Sequence, residues 1–187
     1  MNATADKKTA ASVPHQPLEL DQQALERAKR SLEDGAVVEE HSPWREDIIK
    51  LLNDALATEL VCVLRYKRHH FTATGLSSPA IAEEFLVHAN EEQAHADRIA
   101  TRIVQLGGEP DFNPDSLSGR SHADYNDELD LQAMIRTNLI AERVAIEAYS
   151  QMIELIGDKD PSTRRLIESI LEQEQEHADE LSDWMQK

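Results

Sequence analysis

The chain has 187 residues, with 36 acidic against 19 basic side chains and a formal net charge of −17. That length accommodates one ordinary domain with a full core, and the acidic balance argues against a surface that binds nucleic acid through its phosphates. A single cysteine, Cys62, excludes an intrachain disulfide framework, a four-cysteine zinc site and a rubredoxin-type module.

Residues 1–17 are small and polar, with Pro14 and Pro17, and read as a disordered tail. Lys7 and Lys8 stand there without the apolar stretch of a secretory signal, and no later run approaches the roughly 18 apolar residues of a membrane helix. A cytoplasmic protein without a membrane partner is expected. Lys7, Lys8, Lys29 and Arg30 are too few to make a DNA-binding arm, so DNA is not an expected partner. Leu18, Leu25, Ala28 and Leu32 trace a narrow helical stripe closed by Gly35, suited to a surface or a neighbouring chain. Residues 1–42 therefore form an N-terminal extension with one short helix, and residues 43–187 form the main domain.

Four long helical patterns follow. The first runs from about Pro43, with Ser42 as its cap, to Phe71. The second starts near Ser78-Pro79 and ends at Gly107-Gly108. The third starts between Asp124 and Asp127 and ends at Gly157. The fourth starts at Asp160-Pro161 and continues to the end. Strand signals are absent. The first and second connect through a short loop, as do the third and fourth, so each pair is an antiparallel hairpin. Residues 107–124 are too long and too rich in Pro and Gly for a tight turn. About 17 residues at about 3.3 Å each reach past about 50 Å, whereas a helix of about 28 residues is about 42 Å long. The crossover can span the whole bundle and leave the second and third helices parallel.

The inward stripes carry the chemistry. They read Leu52, Ala55, Glu59, Cys62, Tyr66 on the first helix and Ile81, Phe85, His88, Glu92, His95, Ile99 on the second. On the third they read Leu131, Ile135, Asn138, Glu142, Ala145, Tyr149, Met152, and on the fourth Ile167, Ile170, Glu174, His177, Leu181, Trp184. A carboxylate interrupts every stripe near its middle, and on two helices a histidine follows one turn later. Four carboxylates buried without counter-charge would cost several kcal/mol each or be forced to protonate. Two divalent cations cancel the charge of four Glu and two neutral His, and this donor mixture suits iron or manganese better than a closed structural zinc site. The pattern also repeats. Glu59 precedes Glu92 by 33 positions and Glu142 precedes Glu174 by 32, so two similar hairpins each supply one Glu and one Glu-x-x-His.

These residues resemble the bacterioferritins. The stretch Glu59-Leu60-Val61-Cys62-Val63-Leu64-Arg65-Tyr66 is similar to their first-helix motif, and His95-Ala96-Asp97-Arg98-Ile99 with Gly107-Gly108-Glu109-Pro110 to the end of their second helix. The resemblance covers about 45–185. It implies an all-α, ferritin-like four-helix bundle with one long crossover, binding two iron ions per subunit. Glu59 and His95 would hold one iron, Glu142 and His177 the other, with Glu92 and Glu174 bridging and Tyr66 beside the centre as an electron donor. The implied activity is a ferroxidase, oxidising Fe2+ with O2 or H2O2 and storing the product in a homo-oligomeric shell. Gln93 stands where that family carries its haem-ligating Met, so haem is not expected. The chain stops ten residues after His177, without the family's fifth helix. With the extension and the longer crossover, this resembles Dps-like proteins having an intra-subunit site, and favours twelve subunits over twenty-four. The alternatives are a non-storage di-iron or di-manganese peroxidase or catalase, similar to rubrerythrin, and a DNA-protecting Dps protein.

Several neighbours have plainer readings. Glu91, Glu147, Glu172 and Glu176 fall off the stripes and read as surface charge, although Glu91, four residues before His95, is also spaced to be the ligand in place of Glu92. His88 reads as a satisfied interior histidine rather than a third imidazole. His69 and His70 read as complements to the helix dipole in a last turn, Cys62 as a small buried hydrophobe, and Tyr66 and Tyr149 as core tyrosines bonded to buried carboxylates.

Overall fold

The computed structural model describes residues 19–30, 32, 35–37, 43–75 and 78–186. The expectations for residues 1–17 and for the Ser42 cap lie outside them. Among the described residues there are six helices and no strand. Contacts divide the chain into Met1–Leu32 and Glu33–Lys187.

In the first unit, helix α1 spans Gln22–Ala28, shorter than the stripe to Leu32 suggests. Asp21 fixes its start, its side chain accepting from the amides of Gln23 at 2.8 Å and Ala24 at 3.2 Å. The end lies at Lys29, not at Gly35. None of its residues is buried within this chain, so no packing prolongs it.

The second unit is built from α2 (Arg45–Thr72), α3 (Ser78–Gln105), α4 (Leu117–Arg120), α5 (Leu131–Ile156) and α6 (Pro161–Met185). Cross-helix bonds fix the topology. Tyr66 and His70 of α2 meet His88 and Ala82 of α3, so these helices run antiparallel. Glu59 and Tyr66 meet Tyr149 and Glu142 of α5, again antiparallel. His88, His95 and Arg98 of α3 meet Glu180, Gln173 and Ser169 of α6 in the same sense. It follows that α3 and α5 are parallel, as the long crossover requires.

The crossover lies along α2 and is bonded to it in register. Asn53 donates to the Glu109 carbonyl and accepts from the Asp111 amide; Arg120 donates to the carbonyls of Asn53 and Asp111. Farther along, Thr58 accepts from the His122 amide and Arg65 donates to the Asp124 carbonyl. Within it α4 inserts Leu117 against Ala57, Leu60 and Val61. Nothing in the sequence pattern announces that single turn. Helix α5 starts at Leu131, later than Asp124–Asp127, because the Asp130 side chain caps Ala133 N at 2.9 Å while Asn126 accepts from Glu128 N in a competing local turn. Gly157 closes α5 with φ +50, and Asp160 caps α6 before Pro161, both as the sequence indicates.

The four stripes form the core. Every stripe residue is buried except Leu131 and Trp184 at the ends, which are half-buried. Apolar clusters lie on both sides of a polar middle: Leu52, Ile99, Met152 and Ile167 on one, Phe85, Met134, Ile135 and Leu181 on the other.

Candidate metal centre

Between those clusters the structure brings together the four stripe acids with His95 and His177. Glu59, Glu92, His95 and Glu174 form one buried group whose donor atoms lie within 4.8 Å of one another. Glu92, Glu142, Glu174 and His177 form a second. Glu92 and Glu174 belong to both. Each of the six is at most 3 % exposed.

The helices account for this convergence. The i, i+3 spacing puts Glu92 above His95 and Glu174 above His177 on one helical face, while Glu59 and Glu142 face them from α2 and α5. Both imidazoles present Nδ1 inward. His95 Nδ1 is 3.0 Å from Glu174, 3.3 Å from Glu59 and 3.5 Å from Glu92. His177 Nδ1 is 3.6 Å from Glu92, 3.7 Å from Glu174 and 3.9 Å from Glu142. The outer nitrogens are held as well: His95 Nε2 bonds the Gln173 side-chain oxygen at 3.0 Å and His177 Nε2 the Glu91 carboxylate at 2.9 Å. In the neutral ring that binds a cation, a donor proton on Nε2 leaves the lone pair of Nδ1 facing the centre.

Two tyrosines complete a pseudo-two-fold arrangement. Tyr66 donates to Glu142, and Tyr149 donates to Glu59. Each sits seven residues after the terminal acid of its own helix and serves the terminal acid of the other.

The charge distribution has a clear cause. Burial, with the facing Glu92, pushes the Glu59 and Glu142 carboxyls well above the usual carboxylate range. Burial acts the same way on Glu92 and Glu174, but Glu59 beside Glu92 and the two histidines beside both acids overcome it and hold both below that range. Burial also opposes charge on His95 and His177, yet the surrounding carboxylates raise both well above the ordinary imidazole value. Protons thus bring two carboxylates, two carboxylic acids and two imidazolium rings to neutrality. Two divalent cations would do the same for the fully deprotonated set.

A test of fit comes from the atoms left over. Glu92 Oε1, Glu142 Oε2, both Glu174 oxygens and His177 Nδ1 are buried without a hydrogen-bond partner. Buried polar atoms in folded proteins are otherwise nearly always satisfied. Five such atoms converging on one point match the donor set of a pair of divalent cations bound through oxygen and imidazole nitrogen.

Other residues differ from their sequence reading. Glu91 is half-buried and bonded to His177, so it is neither plain surface charge nor part of the inner set; Glu147, Glu172 and Glu176 are exposed. His69 is no dipole complement: burial and nearby Arg65 lower it to about 4, and its ring bonds Asn138 inside the core. His70 bonds the Ala82 carbonyl at 2.7 Å. Burial raises the Cys62 thiol well above its ordinary value, which makes it an inert core group. His88 is fully buried, bonded on both nitrogens, and stacked on His177 with ring centroids 4.1 Å apart. Gln93 bonds Asp97 near the surface. Gln173, Glu91 and the buried Arg65, which donates to Asn138 and the Asp124 carbonyl, were not legible as parts of this region because they lie off the stripes.

A family model described as ferritin-like domain matches residues 49–187. The chain is 31 % identical over 138 residues to a bacterioferritin of Desulfovibrio desulfuricans, covering 71 % of this chain and 73 % of that one. It is 31 % identical over 135 residues to a DNA protection during starvation protein of Pyrococcus furiosus, again covering 71 % and 73 %. The dodecameric thioferritin of Bacteroides fragilis, a bacterioferritin-related protein, superposes with a TM-score of 0.73 at 29 % identity, covering 76 % of this chain and 86 % of that one. Bundle topology, crossover and sequence agree, and the chain belongs to the ferritin-like domain family.

Proposed function

We propose that this chain is a ferroxidase that takes two Fe2+ ions as substrate, oxidises them with O2 or H2O2, and passes the Fe3+ to the interior of a homo-oligomeric shell. Glu59 and His95 bind one ion, Glu142 and His177 the other, and Glu92 and Glu174 bridge them. Manganese fits the same donors, so the oxidant and the electron count define the activity better than the ligand set does. The observation that carries the reading is the sharing of Glu92 and Glu174 by two buried four-donor groups.

Pairing the ions matters because each gives one electron. With peroxide the balance is two Fe2+, one H2O2 and two protons to two Fe3+ and two water molecules; with O2 the same pair yields H2O2. Two electrons delivered together avoid release of a one-electron radical. The protein's own part is to fix the donors: Gln173 and Glu91 orient the imidazoles, while Tyr149 and Tyr66 hold the terminal acids. Tyr66 is also placed to give an electron, its phenolic proton already directed at Glu142.

Mixing anaerobic Fe2+-loaded protein with peroxide in a stopped-flow instrument tests the reading. Glu92→Ala removes one bridging acid and is expected to slow the fast phase of Fe3+ formation by at least about tenfold, the effect of losing about 1.4 kcal/mol of transition-state stabilisation. An unchanged fast phase would defeat the proposal.

A further inference from the structure

We propose that Glu84 and His88 of α3, together with Glu180 of α6, form a third divalent-cation site at the bundle surface, beside the paired centre. Glu84 and His88 share one face of α3 by their i, i+4 spacing, and Glu180 reaches them from the neighbouring helix. The three donor atoms lie within 4.8 Å of one another. His88 Nε2 is 2.9 Å from Glu180 Oε2 and 3.9 Å from Glu84 Oε1. Metal–ligand bonds of about 2.0–2.2 Å place adjacent ligands of an octahedral ion about 3 Å apart. The donors are therefore close to a binding arrangement already.

A buried imidazole distinguishes this cluster from ordinary surface acids. With a cation on Nε2, the ring carries its proton on Nδ1 and donates it to the Tyr66 hydroxyl oxygen 3.2 Å away. Without the cation, Nε2 bonds Glu180 instead. His88 is fully buried, whereas the Glu84 and Glu180 side chains are 28 % and 53 % exposed. Water can thus complete the shell from outside, and one imidazole with two carboxylates suits Fe2+ or Mn2+.

The site is joined to the paired centre by short links. His88 stacks on His177, and Tyr66 bonds both His88 and Glu142. A cation held here would stand at the outer end of a path whose inner end is the Glu142–His177 group. The delivery role rests on the iron reading above; the binding site itself does not.

Anaerobic equilibrium dialysis of the full chain against Fe2+ decides the matter. The double variant Glu84→Gln, Glu180→Gln is expected to hold one cation per chain fewer than the wild type at saturation, with unchanged helicity. The variant Glu92→Gln, Glu174→Gln is expected to lose the paired cations and keep the outer one, which disappears when all four substitutions are combined. Equal stoichiometry for wild type and Glu84→Gln, Glu180→Gln overturns the proposal. If that variant loses a cation while Glu92→Gln, Glu174→Gln loses none, the outer site stands and the paired-centre reading fails. Anomalous diffraction from Fe2+-soaked wild-type crystals supplies the position: a peak among His88 Nε2, Glu84 and Glu180 supports the site, and peaks confined to the six inner residues overturn it.

Discussion

Whether an imidazole can serve a cation depends on what holds its far nitrogen. Gln173 and Glu91 bond the outer Nε2 of His95 and His177 and so keep each Nδ1 lone pair turned inward. Removing either partner, as Gln173→Ala or Glu91→Ala, is expected to weaken Fe2+ binding about 10- to 100-fold; anaerobic titration with unchanged circular dichroism checks this, and wild-type affinity would deny them that role. The two tyrosines invite a paired comparison. Each bonds a terminal acid, but only Tyr66 also contacts His88. Tyr66→Phe is expected to abolish a tyrosyl radical signal after peroxide treatment, whereas Tyr149→Phe retains it; electron paramagnetic resonance reads the difference. The inner acids were legible because each interrupts an apolar stripe that must be buried. Gln173 and Glu91 were not, since an off-stripe polar residue looks the same whether it meets water or the back of a histidine.

Among the elements, α6 has the best-defined start. Asp160 caps Thr163 N at 3.0 Å and takes both oxygens to Arg102 Nη2 of α3 at 2.9–3.0 Å, so one side chain ends a loop and docks two helices. Burial tends to raise the Asp160 carboxyl, but the bonds to Thr163 and Arg102 outweigh it and lower it. Its stabilising contribution is therefore complete above the unfolded carboxylate value and is lost as pH falls through the lower folded value. Asp160→Ala is expected to cost about 2–4 kcal/mol, the sum of a lost cap and a broken, largely buried ion pair. Urea unfolding at neutral pH measures it, and the deficit should shrink in strong acid. This start was readable because Asp-Pro is a chemical signature of a helix N-terminus. By contrast α4 was not readable, because it is set by Leu117 finding Ala57 and Val61 across the fold; α5 starts late because Asp130, rather than Asp124 or Asp127, takes the cap, a choice among several acids that the sequence leaves open.

At the scale of the whole molecule, charge in the centre couples metal to pH. Two imidazolium rings and two carboxylic acids would give up their protons to the incoming pair, about four per chain. Fe2+ affinity should accordingly rise with pH, and a pH-stat titration without oxidant should record that release. Storage requires more than a centre. A bundle that oxidises iron without enclosing a cavity releases its product to solvent, so assembly decides between a vessel and a peroxidase-type enzyme. Its relative from Bacteroides fragilis is a dodecamer, and twelve chains of 21.1 kDa make about 253 kDa. Light scattering on the purified full chain is expected to give a mass near that value, with an electron-dense core after iron loading. A dimer that still oxidises Fe2+ rapidly would leave the centre intact and replace storage with turnover as its purpose, because Fe3+ formed on an open surface has no cavity in which to mineralise.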